Sequence, residues 1–319
     1  MMELSESDVR ALALAPRAWR EAIASVYGRL ARGQVQVAPK AHLQPSPEEL
    51  LIALPALDLE RGYSACKWVN VVPASRAAGG PTVNSVLVLN DWRTGRPLAL
   101  IAADGITAER TAAMSAVAAR HYARHDSTRI GFVGCGVQAR SHFAALRDLF
   151  PGLQQATVFG RRIESARIFA DELCALGVQA RASSEARDAV AGQDLIVTTV
   201  PGGAQEALLD PGWLAAGAFV AAVDLGRSWR RSGLSCFAQV VTDERAQSVA
   251  LGREGRLVSA GPFAADLADI AGGRAPPPDD AGARTLFAFS GHGAADLAGA
   301  ILVYEAALRA RGAEMHAPA

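Results

Sequence analysis

The sequence predicts an α/β fold in which a central parallel-sheet domain interrupts a discontinuous α+β domain, on three observations. From Arg129 onward, short apolar runs alternate with helical patterns of ten or more residues, as strands and helices alternate around a parallel sheet. Before that point the β-rich runs follow one another directly, broken by Pro, Gly and Asp, which is the texture of an antiparallel or mixed sheet. A last apolar helix, from about Ala294 to Ala310, follows a Pro-rich loop and is placed to return to the first domain. The boundaries read as 1–112, completed by about 296–319, for the outer domain and 113–295 for the central one.

In the outer domain, Trp19, Ile23, Val26 and Leu30 recur at helical spacing and put one apolar stripe on a helix that ends near Gly33. The runs LLIAL (50–54), ACKWVNVV (65–72), VNSVLVLN (83–90) and LALIA (98–102) are strands, and DWRTG between the last two is a hairpin turn. Thr107 reads as the N-cap of an Ala-rich helix that continues to about Arg124. In the central domain the strands are RIGFV (129–133), QATVFG (155–160), DLIVTTV (194–200), AFVAAVD (218–224), AQVVTD (238–243) and TLFAFS (285–290), the last set apart by the loop RAPPPDD at 274–280.

Composition narrows the function. The 319 residues are 50% hydrophobic and 20% charged, a globular composition, and the 32 Lys and Arg cancel the 32 Asp and Glu. A neutral chain has no general attraction to a phosphate backbone, so no nucleic-acid partner is expected. The charge-free stretch at 77–90 is too short and too rich in Gly, Pro and Asn to cross a membrane, which takes about 20 apolar residues. The acidic start MMELSESDVR is the reverse of a secretory signal and predicts the cytoplasm. Cys66, Cys135, Cys174 and Cys236 are scattered and read as small buried thiols. His121 and His125 share a helix face but lack a third ligand, so no metal is expected. His142 and His292 read as structural, and the basic run RSWRR (227–231) as a solvated loop.

The strongest chemical signal is RIGFVGCGVQARSHFAAL, a strand, then Gly134, Gly136 and Ala139 at GxGxxA spacing, then an amphipathic helix. Gly134 permits the tight turn, Gly136 lets backbone approach a pyrophosphate at the helix N-terminus, and Ala139 allows close packing of helix on strand. This predicts a Rossmann dinucleotide-binding domain, with Gly134, Gly136, Val137, Gln138, Ala139, Arg161, Arg162 and Thr199 as cofactor-binding residues. Arg161 and Arg162 end the second strand where an NAD site usually places an acid, and their guanidinium groups suit a 2′-phosphate. The cofactor is therefore NADP or NAD, with NADP favoured. Asp224 ends a strand, at the carboxyl edge of the sheet where ligands of open α/β folds bind. Lys67 interrupts an apolar strand, and Arg110 stands near a helix start, where the macrodipole disfavours a cation unless it faces an anion. Together they could anchor the carboxylate of an amino or keto acid.

These features resemble the ornithine cyclodeaminase/mu-crystallin family over nearly the whole chain. The resemblance rests on LPA (54–56), KWVNVVP (67–73), VLNDWRTGRPLALIAADGIT, TAERTAAMSAVAA, GFVGCGVQARSHF, WLAAGAFVAAVD and TLFAFSGHGAADLAGAILVYEAAL, in family order. It implies a homodimer, Lys67 and Arg110 as carboxylate ligands, Lys67 with Asp224 as catalytic residues, and Asp224 as the acid/base group. Lys40 stands where many relatives have a further carboxylate-binding Arg. The implied activity is hydride transfer between a nicotinamide and the α-carbon of a small α-imino or α-amino acid. Two alternatives accompany it: ornithine cyclodeaminase, a lyase that uses NAD catalytically, and a non-catalytic NAD(P)H-binding crystallin-like protein. Ile52 stands where ornithine cyclodeaminases carry a Glu for the δ-ammonium, which counts against ornithine, and the presence of Asp224 leans toward dehydrogenase or amine-forming chemistry.

Overall fold

A computed structural model describes residues 1–312 except 47, 81, 202–205 and 279, with side chains at 76–78 left aside. Residues 313–319, expected to complete the outer domain, and part of the loop at 274–280 lie outside the described residues. The chain divides into one unit made of Met1–Arg110 with the segment from Gly291, and a second unit of Thr111–Ser290. Together they form an α/β structure with one mixed and one parallel sheet.

The first unit opens with β1 (Met2–Leu4), α1 (Glu6–Ala11) and α2 (Pro16–Ala31), the last terminated just before Gly33, whose φ of 74° a side chain would resist. Strands β2 (Val35–Val37), β3 (Ala41–Leu43), β4 (Leu50–Asp58), β5 (Tyr63–Val71), β6 (Val83–Asp91) and β7 (Pro97–Ala102) follow. They form a sheet in the order β1-β7-β6-β5-β4-β2, with β3 also on β4, antiparallel except for the β1/β7 pair. One face is closed. Leu54, Lys67, Leu87 and Ile101 are paired in register across it, and all four are buried. On the other face Ala53, Trp68, Val86 and Ala102 lie side by side, with Cys66, Val88 and Leu100 in the next row, and none of these is fully buried.

Helix α3 (Asp104–Tyr122) begins three residues before the expected N-cap. Thr107 is therefore inside the helix, and the cap comes from a distant residue: the Glu6 carboxylate accepts from the backbone amides of Asp104 at 2.8 Å and Gly105 at 3.2 Å. A remote carboxylate satisfies the first amides and complements the dipole, so no local Ser, Thr or Asn cap was needed.

The second unit contains β8 (Arg129–Val133), α4 (Val137–Leu149), β9 (Gln155–Phe159), α5 (Ile163–Ala175), β10 (Gln179–Ser183), β11 (Leu195–Thr198), β12 (Phe219–Ala222), β13 (Gln239–Thr242), α6 (Arg245–Arg253), β14 (Ala265–Asp266), α7 (Leu267–Ala271) and β15 (Thr285–Ala288). All eight strands run parallel in the order β10-β9-β8-β11-β12-β15-β13-β14. The chain leaves β8 toward β9 and β10, then crosses back to β11 on the other side, so β8 and β11 flank the switch point at which such sheets bind ligands. The expected alternation with long helices holds only for α4 and α5. Between β10 and β13 the described connections contain short 3₁₀ turns, at Ala186–Ala189, Pro211–Trp213 and Arg231–Cys236, rather than helices of ten residues. Here Val190, Leu209, Leu214, Trp229 and Phe237 join the core cluster against the sheet from irregular segments.

The chain ends in α8 (Gly293–Ala310), apolar on most of its circumference and buried accordingly against α2, β4, β5 and β6. A side-chain carbon at Gly299 would lie 2.7 Å from Ile106 and 3.3 Å from Trp19, so this glycine lets α8 approach α2 and α3 closely. None of the described helices is long and apolar enough to cross a membrane. The four cysteines are free, and none is fully buried: Cys174 is exposed and the others are intermediate. Three were placed by neighbours that leave them partly open, which spacing along the chain does not reveal.

Candidate active site

In the first unit, Lys67 and Arg110 meet. Lys67 projects from β5 to the closed face, 2% exposed, and Arg110 comes from α3, 6% exposed. Both reach one oxygen of Asp296, which is 1% exposed on the first turn of α8: the Lys67 Nζ donates to Oδ1 at 2.7 Å, and the Arg110 Nε lies 2.9 Å from the same atom. Lys67 also donates to the Thr107 hydroxyl at 3.3 Å. Burial, with Arg110 beside it, pulls the Lys67 ammonium down to about 8, and Asp296 opposes that fall. Burial alone would raise the Asp296 carboxyl, but Arg110 and Lys67 outweigh it and hold the group below the usual carboxylate range. Lys40, half-buried just ahead of β3, contributes its charge at both Lys67 and Asp296.

By sequence Arg110 stands near a helix start, where its charge would oppose the dipole. It lies seven positions in, beyond the first turn, and its charge is met by Asp296. Asp296 was missed. It stands in the otherwise apolar first two-thirds of the helix, GAADLAGAILVY, and an acid alone in that stretch is the available signal, of the same kind as Lys67 in its apolar strand. Ile52 is half-buried on β4, paired with Val69 and with His42 of β3, and so lies on the face that carries Lys67.

In the second unit the Gly134 turn sits at the switch point. Gly134 has φ 107°, and a side-chain carbon there would lie 2.3 Å from the Thr199 hydroxyl, so only glycine fits. Its amide donates to the Phe159 carbonyl at 2.8 Å, and the Thr199 amide donates to Val133 at 2.8 Å, which ties the turn between three strands. Gly136, the N-cap of α4, is different: among the described residues no atom beyond its immediate chain neighbours lies within 4 Å of where its side chain would begin, and no side chain caps the helix. The amides of the first turn, at 67%-exposed Val137, at Gln138 and at buried Ala139, are thus left for an outside acceptor. Two buried polar atoms beside them, Thr199 Oγ1 and Gln138 Oε1, have no hydrogen-bond partner among the described residues. Open space over a glycine, uncapped amides and orphaned polar atoms are what a bound dinucleotide phosphate would use, so the residues fit that group.

Two residues outside the predicted cofactor set, Arg140 and His142, support this turn. Arg140 donates from Nη1 to the carbonyls of Cys135 at 2.6 Å and Gly136 at 3.2 Å, while Glu172 holds its Nε at 2.7 Å. His142, fully buried, has Nδ1 2.7 Å from the Gln138 carbonyl and Nε2 3.0 Å from the Ser115 hydroxyl. Burial pulls it down to about 4, so it is neutral, donating from Nδ1 to the carbonyl and accepting at Nε2. Arg161 and Arg162 are both exposed, and Arg162 is the N-cap of α5, where the helix dipole favours an anion over a cation.

Asp224 lies two residues beyond β12 and is 3% exposed. Oδ1 accepts from the Thr198 hydroxyl at 2.9 Å and the Gly226 amide at 3.1 Å, and Oδ2 accepts from the Ser228 hydroxyl. Burial pushes this carboxyl up, against the pull of these donors and of Arg227. The turn that follows is tight, with Leu225 and Gly226 both at positive φ (64° and 72°) and the Val258 amide donating to the Leu225 carbonyl at 3.0 Å. In the basic run, Arg231 is a brace, donating from Nη2 to the carbonyls of Gly255 and Leu257 at 2.9 Å each, and exposed Arg230 pairs with Asp210 at 3.5 Å. Among the described residues no group of three His, Cys, Asp or Glu could hold a metal ion.

Comparison with known proteins identifies the family. A profile of the ornithine cyclodeaminase/mu-crystallin family matches residues 1–311. The alanine dehydrogenase of Archaeoglobus fulgidus is 29% identical over 295 residues, which cover 90% of this chain and 89% of that protein. Among solved structures, the Delta(1)-pyrroline-2-carboxylate reductase of Thermococcus litoralis, in complex with NADH and L-proline, superposes with a TM-score of 0.88 at 27% identity over 98% of each chain. An archaeal alanine dehydrogenase dimer with bound NAD superposes with a TM-score of 0.87 at 28% identity, again over 98% of each chain. With a family profile matched from the first residue to the last helix, and solved relatives that share its fold end to end, this chain belongs to the ornithine cyclodeaminase/mu-crystallin family.

Proposed function

We propose that the protein is a nicotinamide-dependent oxidoreductase that reduces a small α-imino acid, or oxidises the matching α-amino acid, at the α-carbon. One observation carries the reading: two buried cations from different elements, Lys67 and Arg110, are spaced to share a single carboxylate oxygen. A pair so spaced can take a second carboxylate, that of the substrate, with Lys40 adding charge at the same place. Lys67 has three N–H donors, of which Asp296 and Thr107 engage two, so one remains for a ligand. When bound, the nicotinamide supplies the hydride donor or acceptor. The uncapped first turn of α4, with Gly134, Gly136, Val137, Gln138 and Ala139, holds the pyrophosphate, and Thr199 hydrogen-bonds the same nucleotide. Asp224 acts on the proton at the substrate nitrogen: three donors occupy a carboxylate that offers about four acceptor positions, which leaves one on Oδ2.

The relatives named above act on imino and amino acids with NAD or NADH, which supports the substrate class. Arg161 and Arg162 favour NADP(H) for this chain, because exposed guanidinium groups at a helix N-terminus gain from a 2′-phosphate. Ile52 supplies no counter-charge for a terminal ammonium, so ornithine is a poor substrate. The half-buried apolar sheet face around Trp68 and Val88 is the surface through which two copies pair, and a relative is a dimer.

The reading is tested by following NADPH and NADH absorbance with Δ1-pyrroline-2-carboxylate, Δ1-piperideine-2-carboxylate and pyruvate plus ammonia, and ammonia release from ornithine. Turnover of an imine or keto acid is expected; free ammonia from ornithine without net NADH would select the lyase instead. Lys67→Met and Arg110→Met should each lower kcat/KM roughly 10- to 150-fold, mainly through KM, the loss of one charged hydrogen bond; unchanged kinetics would remove the anchor. Gly136→Val should abolish nucleotide binding while leaving thermal stability near that of the parent, since the added carbons enter open space. Arg161→Ala with Arg162→Ala should raise KM for NADPH and leave that for NADH in place, as initial rates would show. In sedimentation, Trp68→Glu or Val88→Glu should convert a dimer into monomers, and a parent that is already monomeric would refute the interface.

A further inference from the structure

We propose that Asp296 is the positioning residue of the carboxylate anchor: by taking Lys67 and Arg110 on one oxygen, it sets the spacing at which both cations meet the substrate and keeps Lys67 charged. The inference rests on the reading that Lys67 and Arg110 bind the substrate carboxylate, and it assigns a role to a third group that touches neither substrate nor cofactor. Asp296 joins three elements. The first turn of α8 carries it, where the helix dipole favours an anion, and it faces a cation from β5 and another from α3. Its Oδ1 serves both cations, whereas its buried Oδ2 makes no hydrogen bond among the described residues. A carboxylate placed for its own solvation would engage both oxygens, so its position is set by the two cations.

Stability does not call for this arrangement. A buried ionic cluster is often no better for folding than apolar residues of the same volume, and its neighbours in register are Leu54, Leu87 and Ile101. A buried ammonium beside a guanidinium loses its proton readily, and a neutral amine would not bind a carboxylate as an ion pair. The groups that face Lys67 are Asp296 from α8, Arg110 and the Thr107 hydroxyl from α3, and Lys40 from the segment before β3, with Cys66 adjacent on its own strand. Of these, Asp296 opposes the loss of the Lys67 proton by its charge.

The test uses binding of pyruvate, a carboxylate with no group that titrates near pH 8, measured by calorimetry on the full chain from pH 6 to pH 10. In the parent protein, affinity should fall as pH rises through about 8, where Lys67 gives up its proton. Asp296→Asn should weaken binding at pH 7 on the order of tenfold and move the midpoint of that fall down by about one unit or more, because the opposite charge that sustained the ammonium is gone. Asp296→Glu should keep the midpoint near that of the parent but weaken binding, since the acid moves by one methylene. Lys67→Met should remove the pH dependence, and adding Asp296→Asn to it should restore none. An unmoved midpoint in folded Asp296→Asn overturns the proposal while leaving the anchor intact. If Asp296→Asn does not fold, Asp296→Glu decides, and unchanged pyruvate affinity there overturns it. Failure of the underlying reading looks different: pyruvate would not bind the parent, or Lys67→Met and Arg110→Met would bind it as well as the parent does.

Discussion

The first unit depends on a single carboxylate oxygen, Asp296 Oδ1, held within hydrogen-bonding distance of both Lys67 and Arg110. Three charged groups that are each almost fully buried carry a large desolvation cost, which their mutual attraction offsets only while the geometry is kept. Much of the surrounding structure serves that geometry. Gly299 lets α8 settle against α2 and α3. Glu6 caps α3 from α1 and fixes where the helix begins, and with it the position of Arg110. The Leu54, Leu87 and Ile101 side chains in register with Lys67 exclude the water that would otherwise screen the cluster.

The second unit solves the opposite problem, keeping polar groups available rather than paired. A helix normally satisfies its first amides with a side-chain cap, and α4 does not. The turn that precedes it is held instead from outside: Arg140 grips two of its carbonyls, and neutral His142 binds the Gln138 carbonyl. Neither contact consumes an amide donor of the helix start. Asp224 combines both strategies, since Thr198, Ser228 and the Gly226 amide fix the carboxylate while one acceptor position remains. The positive φ of Leu225 follows directly after it, as backbone strain often does beside a group that must be aimed.

Particular residues show how far the chain could be read without its fold. The six apolar runs from Arg129 onward are strands, because a strand buried on both faces is a continuous apolar segment. The edge strand β10, QARAS, was passed over because it is half polar, and β1 to β3 because three residues carry too little periodicity. Long helices were expected between all the central strands, yet after β10 irregular segments with Trp229, Leu209 and Phe237 cover the sheet, and apolar content alone does not distinguish the two. Thr107 was read as a cap from its type, when a remote glutamate does that work.

What the sequence determined by itself is local: the Gly134 turn, the period of each strand and helix, and the anomaly of a lysine in an apolar strand. These depend on residues within one or two turns of each other, so their spacing is visible along the chain. The tertiary structure decided which charges meet. Lys67, Arg110 and Asp296 are separated by 43 and 186 positions, and nothing in their neighbourhoods specifies that one oxygen will serve both cations. That pairing exists because a buried charge must find a counter-charge when water is removed, and only the packing of β5, α3 and α8 determines which one is within reach.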